Sequence, residues 1–303
     1  MSDGTERDAY GVTVEKRHPR AILPERVADV GRQQVVIRGG GVVEGGILCG
    51  DLTVEDGPFT IGGSVLAMRS AQFRTRSGTG LVNGPTAARQ SLLVEGYDRP
   101  STAVRFIGDV SGGSVSLEGA VVYGNVMGAS VSLRNCLVLG VCHASEHLRL
   151  HDTVCFRFLS AETEVHGRAY ILDCVSTCGG KLDLIGRVWA LPFVGWAESA
   201  GQRNAPAELT IDDVKQISGE REDGTVEKYW LLGLHDRIVD VSLATSDLAA
   251  NVSWLEHQLS IVSAGEATEQ TFGDIERPFW SRLGDGAPGV SVLPPGHGDA
   301  SPA

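Results

Sequence analysis

Between Val115 and Trp189 the apolar residues return at a nearly constant interval. Val115, Val131, Leu148, Val165 and Leu182 follow one another at steps of 16, 17, 17 and 17. A second column, Val121, Leu137, Val154, Ile171 and Val188, keeps the same intervals six residues further along, and a third, Leu117, Leu133, Leu150, Gly167 and Leu184, lies two residues after the first. That two-residue offset is the alternation of a strand with one buried face. An interval this short does not suit helical repeats; it fits coils of short strands joined by tight turns, stacked so that they share one apolar interior. Upstream, Ile37 to Val54 and Leu48 to Val65 to Val82 keep the spacing of 17. The segment Gly96 to Ser101, with Asp98, Arg99 and Pro100, then reads as an inserted corner loop, after which Val104 and Phe106 rejoin the second column one such step before Val121 and Tyr123.

The pattern predicts an all-β chain, a parallel β-solenoid (β-helix) with coils of about 16–17 residues, plus a small mixed α+β region at the C-terminal side. Residues 1–34 are charged, carry Pro19 and Pro24 and lack an apolar period, which predicts an N-terminal tail that is flexible or a capping arm. The solenoid is placed at 35–192. A connector of small and polar residues, Gly195 to Pro206, leads to a cap or partner region at 207–283. There, Thr225 to Val241 follows a Glu222-Asp223-Gly224 turn and predicts a hairpin. Ser246 is a candidate N-cap for an amphipathic helix bearing Leu248, Val252, Leu255 and Leu259, expected to pack on the end or flank of the solenoid. The stretch 284–303 is rich in Gly, Pro and Ser and predicts a disordered tail.

Composition sharpens this reading in three ways. Glycine supplies 39 of 303 residues, about 13% against a usual value of about 7%, and Gly39 to Gly41, Gly45, Gly46, Gly62, Gly63, Gly112 and Gly113 are expected at corners with positive φ. The 26 Lys and Arg stand against 38 Asp and Glu, a formal charge of −12, with no basic stripe able to neutralise phosphates, so nucleic acid is not expected as a partner. The same charge opposes direct adsorption to an anionic membrane, a tendency that a local apolar or basic element can override, so membrane association stays open. The residues from Met1 to Val30 contain no apolar h-region and no later run is long enough for a span, which points to the cytoplasm.

Candidate chemistry is sparse. Cys49, Cys136, Cys142, Cys155, Cys174 and Cys178 sit in apolar runs without a paired C-x-x-C framework, and buried free thiols are expected. Cys155 falls in one column with Val138, Leu172 and Trp189 and should pack as a small hydrophobe. The densest set of possible metal ligands is Cys142, His143, His147 and His151, joined by His166; on a helix the spacing of four would converge, whereas on a solenoid these residues fall on different corners and coils. Asp212, Asp213, Glu220, Glu222 and Asp223 lie near turns in a charged stretch and read as solvated surface. Trp189, Trp196, Trp230, Trp254 and Trp280 are expected between cap and coil. Gly39 to Gly41 lacks the Lys-Ser or Lys-Thr ending of a phosphate loop, and there is no Gly-x-Ser-x-Gly elbow. No catalytic, cofactor or metal residues are assigned.

The segment Gly45 to Val65, GGILCGDLTVEDGPFTIGGSV, and its later echo Gly113 to Val126, GSVSLEGAVVYGNV, resemble the bactofilins, polymer-forming cytoskeletal proteins. The resemblance implies a right-handed triangular β-helix, flexible polar termini and end-to-end assembly without nucleotide. It covers about half the chain; the solenoid here is longer than the family's usual core, and the region from about 200 to 283 has no counterpart in it. The leading expectation is a non-enzymatic scaffold that self-associates through its solenoid ends, with Val36, Ile37 and Val43 on the sticky N-terminal rung and a C-terminal region that limits growth or recruits a protein partner. The alternative is an enzyme of the left-handed β-helix class, an acyltransferase or γ-type carbonic anhydrase. Such coils use strict six-residue repeats, which 16 to 17 does not match.

Overall fold

The computed structural model describes residues 5–7, 10–96, 103–155 and 256–283, together with strand segments between 159 and 232; for Thr5–Arg7, for the strands beyond Cys155 and for 277–283 the backbone alone is described. Its strands are β1 (Thr5–Arg7), β2 (Gly11–Val14), β3 (Arg17–His18), β4 (Gln34–Ile37), β5 (Val42–Val43), β6 (Ile47–Val54), β7 (Phe59–Ile61), β8 (Val65–Arg74), β9 (Gly80–Val82), β10 (Thr86–Glu95), β11 (Val104–Phe106) and β12 (Val110–Glu118). They continue with β13 (Ala120–Val122), β14 (Val126–Arg134), β15 (Leu137–Val138), β16 (Cys142–Cys155), β17 (Leu159–Ala161), β18 (Glu164–Ile171), β19 (Cys174–Cys178), β20 (Lys181–Asp183) and β21 (Val188–Trp189). Further along come β22 (Glu208–Leu209), β23 (Val214–Glu220), β24 (Val226–Leu232) and, after a helical stretch at 256–263, helix α1 (Glu269–Leu283).

These strands build a parallel β-solenoid with three faces. The longer strands from β6 to β16 turn a corner within their length, contributing their first residues to face 1 and the rest to face 2; the register offset between Cys49 and Asp51 marks one such corner. Face 2 is a parallel ladder through β2, β4, β6, β8, β10, β12, β14, β16, β18 and β20. Face 3 runs through β3, β5, β7, β9, β11, β13 and β15 to the end of β16. Inward side chains from all three faces form one buried cluster from Val12 to Cys155. Within it Phe73 stands between two other rings, 5.7 Å from Phe59 and 5.4 Å from Phe106.

The first column of the sequence pattern is a file of cross-coil partners: Val115 pairs with Val131, Val131 with Leu148, Leu148 with Val165 and Val165 with Leu182. Leu117, Leu133, Leu150 and Gly167 pair likewise. The second column holds through Val121, Leu137 and Val154 and then slips by one, because Val154 pairs with Tyr170, Cys155 with Ile171 and Tyr170 with Trp189. Asp152 is the cause: it is the unmatched residue where β16 steps from His151↔Arg168 to Thr153↔Ala169. Upstream, Val104 pairs with Ala120 and Arg105 with Val121, one residue away from the expected alignment.

Of residues 1–34, expected as a tail, those from Tyr10 onward instead contribute the opening coil. Strand β2 lies in register on β4, β3 on β5, and Ile22 bridges to Ile47. The apolar residues of this coil are too few to show a period, yet Val12, Val14 and Ile22 fill the interior. Strands β23 and β24 form an antiparallel pair, whereas the sequence places the hairpin within Thr225 to Val241, of which only 226–232 is described; the Glu222-Asp223-Gly224 turn lies outside the described set, as do Gly195 to Pro206, 284–303 and most of the corner loop Gly96 to Ser101.

The coils are unequal in length: from β4 onward the chain between face 2 partners is shortest from Val115 to Val131 and longest from Leu92 to Val115. Most of the variation falls at the corner between faces 2 and 3, which is short at Gly119 and longest ahead of Val104. From β5 to β16 the corner between faces 3 and 1 is constant at three residues: 44–46, 62–64, 83–85, 107–109, 123–125 and 139–141. Its middle residue is glycine each time, namely Gly45, Gly63, Gly84, Gly108, Gly124 and Gly140.

The expectation of positive φ at the corner glycines is corrected. Of those singled out only Gly40 has it, and the positive-φ residues of the solenoid, Gly40, Gly57, Gly78, Gly119 and Asn135, all sit at the variable corner. At the constant corner the reason for glycine is close approach: a Cβ on Gly140 would lie 2.4 Å from the carbonyl oxygen of Gly124, and one on Gly124 2.6 Å from the carbonyl carbon of Gly108. Gly140→Ala must push two coils apart and is expected to cost about 1–3 kcal/mol. Gly31→Ala, where a Cβ meets nothing within 4 Å, should stay within about 0.5 kcal/mol of the parent. Urea denaturation midpoints compare the two, and equal midpoints would refute the close-approach account.

An alternating charge ladder follows the end of face 2. Arg38 pairs with Glu15 at 3.0 Å and Glu55 at 3.2 Å, Arg74 with Glu95 at 2.7 Å, and Arg134 with Glu118 at 3.7 Å. Each pair is exposed and contributes little alone, but the sequence of signs disfavours a coil slipping past its neighbour. Glu95 opposite Glu118 is the one like-charge step, and it falls at the longest corner between faces 2 and 3.

Candidate functional site

A solenoid's ends are its chemically distinctive parts, because there the backbone donors and acceptors of a strand lack the next coil. Here both ends carry antiparallel strands. Strand β1 covers β2, pairing Thr5 with Val14 and Arg7 with Val12. At the other end β24 covers β19, pairing Cys174 with Leu231 and Cys178 with Glu227, β23 lies on β24, and β22 covers β21. Among the described residues β3 and β20 are paired along one edge only.

Val36, Ile37 and Val43, expected on a sticky end, are not at an end. Strand β4 lies between β2 and β6, and Val43 between His18 and Ile61. Ile37 and Val43 are fully buried. The misplacement follows directly from the missed opening coil, which adds one more rung beneath them.

The flank of face 3 carries a second site. Val104 and Phe106 point inward, so Arg105 between them points outward, and Val121 and Leu137 follow it in the same outward file. Both are fully buried without belonging to the interior cluster. Helix α1 lies over this face and is fastened by a bidentate ion pair. Arg105 donates from Nε to Glu276 Oε1 at 2.7 Å and from Nη2 to Oε2 at 3.0 Å, while Nη1 reaches Glu269 at 3.2 Å. Tyr123 donates its hydroxyl proton to Glu276 at 2.8 Å. The Phe272 ring sits 5.5 Å from Tyr123, with the Arg105 guanidinium 5.2 Å from its centroid.

Arg105 and Glu276 are 9% and 2% exposed, so this is a buried charge pair, satisfied on both sides. Burial alone would lower the Arg105 pKa, but the hydrogen bonds and charge of Glu276, with Glu269 behind it, outweigh that and raise it. Burial, with Glu276 second, pushes the Tyr123 hydroxyl well above its ordinary value and keeps it a donor. The expected helix around Leu248 overlaps the described residues only at 256–263, where Val262 is buried; Ser246 to Leu255 lie outside them. Helix α1 itself was not foreseen, since Gly273 and Pro278 punctuate its sequence. The available signal was Phe272, Ile275, Glu276 and Phe279, one helical stripe.

Cys49, Cys136, Cys142 and Cys155 are buried. Burial pushes the Cys49 and Cys136 thiols up to about 12, and the Cys142 hydrogen bond, then burial, raises Cys155; Cys49, Cys136 and Cys155 are thereby held away from the thiolate form that makes a nucleophile. The side chains of Cys174, Cys178, His166 and the five tryptophans, and all of Asp212, Asp213, Glu222 and Asp223, lie outside the described set. His143 is on face 1 opposite Met127, whereas His147 and His151 are on face 2, opposite Ser130 and Arg134. Four residues of strand separate the latter two by about 13 Å, and no group of three metal-ligating side chains forms among the described residues. No helix among them is long and apolar enough to cross a membrane. Comparison with protein-family models, curated proteins and solved structures finds no match to this chain.

Proposed function

We propose that this chain is a non-enzymatic scaffold of the bactofilin kind, self-associating through the ends of its solenoid in the cytoplasm. The observation that carries the reading is the face 2 ladder, which repeats one parallel pairing coil after coil and closes on β20, paired along one edge only among the described residues. An unpaired strand edge over an apolar cross-section provides affinity without a pocket. Coils as unequal as Val115 to Val131 and Leu92 to Val115 support this reading over the six-residue repeat of the acyltransferase and γ-type carbonic anhydrase enzymes. The antiparallel strands at both ends restrict where a second copy can add, and α1 with its surroundings is where a protein partner would be recruited.

Sedimentation velocity and electron microscopy of the full chain test the proposal. With a charge of −12, copies repel at low ionic strength, so association should rise as salt is raised. Deleting residues 1–9 removes β1 and frees the β2 edge, which should shift the distribution to larger species. A strictly monomeric chain at high concentration and high salt, with or without residues 1–9, would overturn it.

A further inference from the structure

The outward file of face 2 begins Gly11, Gln34, Asp51, Ser70. Gly11 has no side chain, so the first rung leaves a notch beside Gln34. A short 3-10 segment, Val27–Arg32, crosses next to it and is pinned by the Gln33 backbone, whose N–H donates to Asp29 and Val30 and whose carbonyl accepts from Gly50 and Asp51. This brings the Arg32 guanidinium to 5.9 Å from the centroid of the Tyr10 ring. The Gln34 N–H donates to the Tyr10 carbonyl at 2.7 Å and holds that ring at the edge of the notch, 47% exposed. Arg69 closes the opposite side. Together Tyr10, Gly11, Arg32, Gln34 and Arg69 line a cleft of about 460 Å³.

The two guanidinium groups differ. Arg69 donates to both oxygens of Asp51, from Nε at 3.2 and 3.0 Å, and Ser70 donates to the same carboxylate at 2.8 Å, so its charge is matched. The Arg69 hydrogen bond holds the Asp51 carboxyl below its usual range. Arg32 has no carboxylate partner among the described residues. The cleft therefore offers one unmatched positive charge, one amide and one exposed aromatic ring, with an ionised carboxylate close by.

We propose that this cleft binds a singly charged sugar acid, a hexuronate unit, independently of self-association. The Arg32 fork pairs with the sugar carboxylate, the Gln34 amide serves ring hydroxyls, and the Tyr10 ring takes the C–H face of the pyranose. A phosphate dianion fits less well, because Asp51 already matches one of the two cations and repels a second negative charge.

Titration of the full chain with D-glucuronate, D-glucose and inorganic phosphate, followed by calorimetry or amide chemical shifts, tests this. Saturable glucuronate binding is expected, at least tenfold weaker in Arg32→Ala and unchanged in Arg38→Ala, an exposed arginine on the charge ladder. Tyr10→Ala should weaken glucuronate without changing the thermal midpoint. The proposal is overturned by the absence of saturable glucuronate binding, by glucose binding as well as glucuronate, by phosphate binding more tightly, or by Arg32→Ala binding like the parent.

Discussion

Glu276→Ala is expected to release helix α1 from the solenoid flank, at a cost of about 3–5 kcal/mol. The magnitude comes less from the attraction lost than from what is left behind. Arg105 would keep its charge in a site where it is 9% exposed, and the Tyr123 hydroxyl would lose its acceptor. Amide hydrogen exchange across 269–283 should accelerate strongly, while the face 2 ladder from β4 to β14 stays protected, because solenoid coils take most of their stability from their own neighbours. Replacing both charges at once, Arg105→Met with Glu276→Leu, should recover most of the docking, since a buried pair exchanged for apolar groups of similar volume is often neutral. Unchanged exchange in the single variant would show that the pair does not fasten the helix.

Phe73→Ala should be the most damaging change inside the shaft. Its ring is fully buried and touches Phe59 on one side and Phe106 on the other. Truncation removes two aromatic contacts and leaves a cavity that flanking coils, tied by backbone pairing, cannot collapse to fill, so a loss of about 3–5 kcal/mol is expected. Phe73→Leu retains much of the volume and should cost about 1–2 kcal/mol. Urea unfolding reads both, and an alanine variant with the parent midpoint would mean that the aromatic stack is not part of the core's stability.

The sequence made one stretch of the molecule readable and hid others for identifiable reasons. From Val115 to Leu182 the corners hardly change in length, so cross-coil partners recur at a nearly fixed step and the first column emerges directly. Before Val115 the corner between faces 2 and 3 changes length at each coil. The glycines of the constant corner, from Gly45 to Gly140, therefore occur at unequal intervals and look unrelated.

The second column was legible as a file but not in its direction. Val121 and Leu137 are apolar because both are fully buried on the outward side of face 3, the side on which α1 is fastened through Arg105 and Tyr123, and there the strands lose the alternation that separates inside from outside. Arg105, in the same file, was the discordant residue, and its partner lies 171 positions away, beyond the reach of any local pattern. The end rung was misjudged because Val12, Val14 and Ile22 are embedded among charged residues that face solvent.

The file of glycines gives the shaft one edge with no spare room, where the main chains of successive coils touch and the pitch is set by backbone alone. A peptide epitope or reporter grafted between Glu95 and Val104 would project from an edge that already tolerates extra length. The same graft at Asn125 would act as a wedge between coils, splitting the rod into two shorter ones.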